Sequence, residues 1–324
     1  MKNILLCLAI LLTSMTYAQN DIKYEGLLWE ITGNGLEKPS YLYGTMHVSR
    51  KIAFNLDDIF FEALNQADMV AVESMPDNWL DDLFKRGEIG YGGSMRGSNY
   101  DYYGGNNGGF YSNIFNMSFP NKSDIITGMF GQYNLINGLL YRSEGMADFE
   151  EDTYLDMFIY QTGKRFNKGT FSLESSEESR DLVNKAMKDA RKKEIDDWLK
   201  DMIEKRNTSM FDILQDAYRD RNIGLIDSLN RAMYTDHYMK YMLFKRNENM
   251  VDSMETLMKN GSLFAGVGAA HLPGDDGMID MLIKRGYSLK PIYSEQTEKG
   301  KALKTKLATN FITKRYSPQT TPHG

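Results

Sequence analysis

Hydrophobic residues in this chain fall into short runs that stop at glycine or polar positions, separated by stretches in which apolar residues recur at helical spacing. Leu27 to Thr32 and Ser40 to Tyr43 are two such runs, joined by the turn formers Gly33-Asn34-Gly35-Leu36-Glu37-Lys38-Pro39, and together they predict a hairpin. Between Asp57 and Ala67 the apolar positions Ile59, Phe60, Ala63 and Leu64 have helical spacing. Met69-Val70-Ala71-Val72-Glu73 and Thr170-Phe171-Ser172-Leu173-Glu174 are short strands that each stop on a glutamate, and residues 124 to 166 between them are mainly helical by pattern. Glu174 to Met258 reads as a long helical region, with Met250, Met254, Leu257 and Met258 forming one stripe. Leu263 to His271 is again a buried strand, Met278 to Lys284 a helix stopped at Gly286, and Ser288 to Tyr293 a last strand. The order predicts an α/β fold: a central mixed, largely parallel sheet flanked by helices, with a long helical insertion between the last motif strands. A charged helix past Lys299 and a tail holding Pro318 and Pro322 follow the domain, which is placed at residues 19–299.

The ends of four strands carry chemistry. Tyr41-Leu42-Tyr43-Gly44-Thr45-Met46-His47 and Gly266-Val267-Gly268-Ala269-Ala270-His271 both close on Gly-x-x-His, in a chain with only four histidines. If these strands and those ending at Glu73 and Glu174 lie parallel, all four exits share one edge, where open α/β sheets place their ligand crevices. Two imidazoles and two carboxylates on a rim are what a divalent metal or an acid/base pair needs. Each residue also has a structural reading: His47 and His271 as satisfied core histidines, Glu73 as a turn cap, Glu174 as the cap of a helix beginning near Ser175 or Ser176. The glycine three positions before each histidine, together with Ala269 and Ala270, leaves room for close approach and favours a site reachable by solvent. His237 belongs to a polar helical surface and His323 to the tail. By pattern alone Arg246 and Asn247 form an exposed polar pair.

Leu28-Trp29-Glu30-Ile31, the first Gly-x-x-His, Arg246-Asn247 and Val267-Gly268-Ala269-Ala270-His271-Leu272-Pro273-Gly274, with Gly277 and Gly286-Tyr287, resemble the TraB/GumN family. That family is related to the Tiki metalloproteases and, more distantly, to erythromycin esterases and ChaN haem-binding proteins. Resemblance runs from about Leu27 to about Ile292, with an unmatched insert near residues 86–123. It implies a metal-dependent hydrolase of peptide or ester bonds, with His47, His271 and a carboxylate from Glu73 or Glu174 on a divalent ion and the other glutamate as general base. It raises Arg246 as a fixed cation for a substrate carboxylate or an oxyanion, and Asp156 as a supporting residue. The relatives also leave open a metal-independent esterase with histidine as base, or a binding protein for peptide or haem.

Composition narrows the setting. With 42% hydrophobic and 25% charged residues the chain can bury one sizeable core, and its net charge of -6 gives no basic footprint, so nucleic acid is not an expected partner. Lys2, the apolar run Ile4 to Leu12 and Thr16-Tyr17-Ala18 before Gln19 have the form of a secretory leader at 1–18, too short for a permanent membrane anchor. A periplasmic or secreted protein is expected. The one cysteine, Cys7, lies within that leader, which leaves no thiol ligand or disulfide afterwards. Gly90 to Asn113 holds eight Gly, five Tyr and four Asn and no Leu, Ile or Val, so it cannot repay its ordering entropy by burial. It reads as a flexible insert or, because tyrosines make good contacts, a substrate-gripping lid.

Overall fold

Six strands form one sheet, which runs from edge to edge through the strands beginning at Gly169, Met69, Leu263, Ser40, Leu28 and Tyr287. The computed structural model describes residues 24–46, 56–75, 155–189 and 193–308. The leader expected at 1–18, His47, the glycine- and tyrosine-rich insert at 86–123, and the tail lie outside those residues.

The predicted hairpin is present: β1 (Leu28–Gly33) pairs antiparallel with β2 (Ser40–Thr45), with Leu28 opposite Tyr43 and Ile31 opposite Ser40. Gly33, Asn34 and Gly35 all take positive φ, as a tight reversal requires. β3 (Met69–Val72), β4 (Gly169–Ser172) and β5 (Leu263–Gly268) join β2 in parallel, and β6 (Tyr287–Pro291) closes the far edge antiparallel to β1. Only β1 runs against the others, so the sheet is mixed and largely parallel. Its centre is continuous in hydrophobicity, as expected of strands covered on both faces: every residue of β2, β3 and β5 is buried, whereas the edge strands β4 and β6 are half open.

Helices cover the sheet. α1 (Asp58–Gln66) starts at Asp57, whose side chain accepts a hydrogen bond from the Phe60 backbone N–H at 3.1 Å. Phe60 then packs edge-on against Tyr43 and Phe264, tying this helix to β2 and β5. α2 (Leu155–Arg165) lies over β3, and Gly163 is where it comes closest: a Cβ there would stand 2.1 Å from Val70 Cγ2. The long helical insertion resolves into α3 (Ser176–Ala186), α4 (Asp197–Arg206), α5 (Met210–Arg219), α6 (Ile223–Met233), α7 (Asp236–Met239) and α8 (Lys245–Met258). Between α7 and α8 the chain makes a π-helical turn, Lys240–Phe244. α9 (Met278–Lys284) precedes β6, and α10 (Glu298–Ala308) follows it. No helix among the described residues is long and apolar enough to cross a membrane.

Candidate functional site at the strand ends

Glu73 and Glu174 leave the sheet side by side. The parallel register that pairs Val72 with Ser172 continues one step beyond the strands, with the Leu173 N–H donating to the Val72 carbonyl and the Glu174 N–H to the Glu73 carbonyl. The glutamates are nearly fully buried, and so is the cation between them. Arg246 Nε donates to Glu174 Oε1 and Oε2 at 3.1 and 3.0 Å, and its Nη2 donates to Glu73 Oε2 at 2.6 Å and also to Glu174 Oε1. Nη1 donates to the Met242 carbonyl at 3.2 Å, in the π-turn just before α8. Such turns recur where a helix must present a functional group. One cation thus serves two carboxylates in a dry place, leaving a net negative charge if both are ionised.

The electrostatics follow from that count. Burial pushes the Glu174 pKa up; Arg246 pulls it down, Glu73 adds to the rise, and the balance stays above the ordinary glutamate value. Burial alone would lower the Arg246 pKa, but the charges of Glu174 and Glu73 outweigh it, so the guanidinium stays charged. Ser179, one turn into α3, donates to Glu174 Oε1 at 3.0 Å, while the helix cap is Ser175. The carboxylate of Glu174 therefore faces Arg246 and Ser179, and the capping role considered for it belongs to its neighbour.

His271 closes the other flank. β5 ends at Gly268, and Ala269–His271 form a 3-10 turn that folds back beside β2. The glycine of the first motif makes this possible: a Cβ on Gly44 would come within 3.1 Å of Ala269 Cα and Cβ and 3.2 Å of Leu272 Cδ2. The glycine of one Gly-x-x-His thus accommodates the turn carrying the histidine of the other. Gly268 also donates its N–H to Glu73 Oε1 at 2.6 Å. His271 Nε2 stands 3.6 Å from the same Glu73 oxygen, and Nδ1 is 2.6 Å from Asn247 Oδ1.

The rim is thus assembled as four of the five predicted residues, Glu73, Glu174, Arg246 and His271, with His47 outside the described residues. Thr45, two residues before His47, pairs with Gly268 and donates to Asp156 Oδ1 at 2.7 Å. Asp156 therefore supports the end of β2. Two expectations change. His271 is only 2% exposed, because the turn lays it against the core instead of at an open strand exit. Arg246 and Asn247 are each 1% exposed, not a surface pair, since the polar face of α8 is turned onto the glutamates and the imidazole. Sequence reasoning named Asn247 only as half of the Arg246-Asn247 pair and gave it no role, and it missed Ser179 and the Gly268 N–H, because each acts through a partner in another element. His237 is exposed and bonds the Lys185 carbonyl at 3.2 Å, as a surface residue.

A metal ion can be tested against these donors. Glu73 Oε1 and His271 Nε2 are too far apart for a hydrogen bond, and their 3.6 Å separation suits two ligands each about 2.0 to 2.2 Å from one ion. Glu174 does not fit as a ligand, because both its oxygens are held by Arg246. Among the described residues no group of three or more His, Cys, Asp or Glu is placed to hold a metal.

No curated protein and no solved structure matched the chain. The sequence profile of the TraB/PrgY/gumN family matches it over residues 27–86 and 134–291, spanning every strand of the sheet and every residue of the rim described above. The chain belongs to the TraB/PrgY/gumN family.

Proposed function

We propose that the strand-end rim is the centre of a hydrolase that cleaves a peptide or ester bond, with Glu73 and His271 as the working pair. The observation that carries this reading is the gap between Glu73 Oε1 and His271 Nε2: two buried polar atoms, 3.6 Å apart, each anchored from behind by Gly268 or Asn247. Buried polar groups that converge in this way mark a place where a cation, a proton or a reacting atom is received. Glu73 and His271 would hold a divalent ion, with His47, two positions after Thr45 in the sequence, the candidate third donor. When bound, such an ion supplies Lewis-acid polarisation of the scissile carbonyl.

Arg246 takes a different role from the one the family resemblance implied. Its guanidinium is engaged by protein carboxylates, so it holds Glu73 in place instead of gripping substrate. Glu174, behind Arg246, shares that cation with Glu73, and the base role passes to Glu73 or His271. In a metal-independent version of the same hydrolase, His271 Nε2 would take the proton from the attacking water.

The test is a screen of peptide mixtures and aryl esters by mass spectrometry, with and without chelator, beside a visible spectrum of the purified protein. Hydrolysis lost on chelation supports the metal form, and hydrolysis that survives supports the histidine-base form. No hydrolysis together with a Soret band would replace both with haem binding.

A further inference from the structure

We infer that Asn247 is a positioning residue that makes Nε2 the working nitrogen of His271, and that the turn Pro273–Gly277 sets Asn247 in its turn. A carboxamide offers an acceptor on one side and donors on the other. Asn247 Nδ2 lies 2.7 Å from the Asp276 backbone oxygen, which can only accept, so the nitrogen must be on that side. Its Oδ1 then faces His271 Nδ1 at 2.6 Å, and because an amide oxygen also only accepts, the hydrogen of the ring sits on Nδ1. In the neutral ring the lone pair then belongs to Nε2, the nitrogen 3.6 Å from Glu73 Oε1. At 1% and 2% exposure neither Asn247 nor His271 has bulk water to take over these contacts.

The turn is rigid enough to set this direction. Gly274 holds φ at +95°, the Gly277 N–H donates to the Gly274 carbonyl at 2.8 Å, and a Cβ on Gly277 would lie 2.2 Å from the Pro273 oxygen. Carboxamides and carbonyls that orient an imidazole in this way are what fixes the tautomer of acting histidines elsewhere in proteins. The inference rests on the proposal that His271 acts through Nε2, but its test reads the ring itself.

The experiment is long-range nitrogen–proton NMR correlation on the full nitrogen-15-labelled chain at neutral pH, with the His271 signals assigned by their loss in His271→Gln. The expected wild-type result is a protonated Nδ1 and an unprotonated Nε2. Asn247→Leu, which removes the acceptor, should move the hydrogen to Nε2; Asn247→Asp, which keeps it, should leave the hydrogen on Nδ1. A protonated Nε2 in the wild type, or an unchanged pattern in Asn247→Leu, overturns the inference. If Asn247→Leu does not fold, Asn247→Asp still decides, since loss of the Nδ1 hydrogen there contradicts it. A chain that shows the Nδ1–H ring yet hydrolyses nothing would sink the proposed function alone.

Discussion

Replacing Arg246 by methionine keeps most of the side-chain volume and removes the one charge that Glu73 and Glu174 share. Arg246 is 1% exposed, and its Nε and Nη2 groups meet both carboxylates, at 3.0 to 3.1 Å for Glu174 Oε1 and Oε2 from Nε and 2.6 Å for Glu73. Removing one partner of a buried pair costs about 3 to 5 kcal/mol, because the charge left behind has neither water nor a counter-ion. Two carboxylates are stranded here, so the upper half of that range is expected for Arg246→Met in urea unfolding followed by circular dichroism at neutral pH. Adding Glu174→Gln to that variant should recover part of the loss, since one of the two uncompensated charges disappears. Glu174→Gln alone should be mild, because Arg246 keeps Glu73. Lowering the pH should also narrow the gap between Arg246→Met and wild type as the stranded carboxylates take up protons. A loss below about 1 kcal/mol, or one that Glu174→Gln fails to reduce, would refute the shared buried cation.

Other consequences follow from the same geometry. The folded-state pKa of Glu174 is raised above the ordinary 4.5, so between those values the folded chain holds more protons than the unfolded one; its contribution to stability is full below 4.5 and is lost as pH rises through the window. Glu174→Gln should flatten that part of the stability–pH curve, and identical slopes in the two proteins would contradict the burial argument. His271→Ala should cost at least about 1 to 3 kcal/mol, by leaving the buried Asn247 oxygen without a donor, while the exposed His237→Ala should stay within about 0.5 kcal/mol of wild type; equal losses in thermal melts would deny His271 its buried position. Gly277→Ala must push against the Pro273 and Leu272 carbonyls, 2.2 and 2.4 Å from the new Cβ, and should destabilise by about 1 to 3 kcal/mol or more; an unchanged melting temperature would mean the turn is not built as described.

The sheet was legible because its strands are either continuous apolar runs or a hairpin with turn chemistry between them. The two glutamates and His271 were legible because each follows such a run, and parallel strands put those exits on one edge. Burial of Arg246 and Asn247 was not legible. The segment Lys245-Arg246-Asn247-Glu248-Asn249 is uniformly polar, and only the distant ends of β3, β4 and β5 make its inner face a buried one. Nor does the sequence announce the π-turn at Lys240–Phe244 that precedes α8, since its residues have ordinary helical character. The second motif read as strand to its histidine, but Gly268 ends β5 and its N–H goes to Glu73 instead of continuing a ladder. Gly44 was read as room for close approach by backbone or substrate, and what approaches is the turn at Ala269, with Leu272 beside it.

The central claim, that Glu73 and His271 form the hydrolytic centre, is tested most directly by measuring bound transition metal and peptide or ester cleavage together, on protein purified without chelator. Wild type, Glu73→Gln, His271→Gln and His237→Gln would be compared, each confirmed as folded by circular dichroism. The account predicts that cleavage, and any stoichiometric metal, is lost in Glu73→Gln and His271→Gln and kept in His237→Gln. Cleavage at the wild-type rate in a folded His271→Gln protein would contradict it.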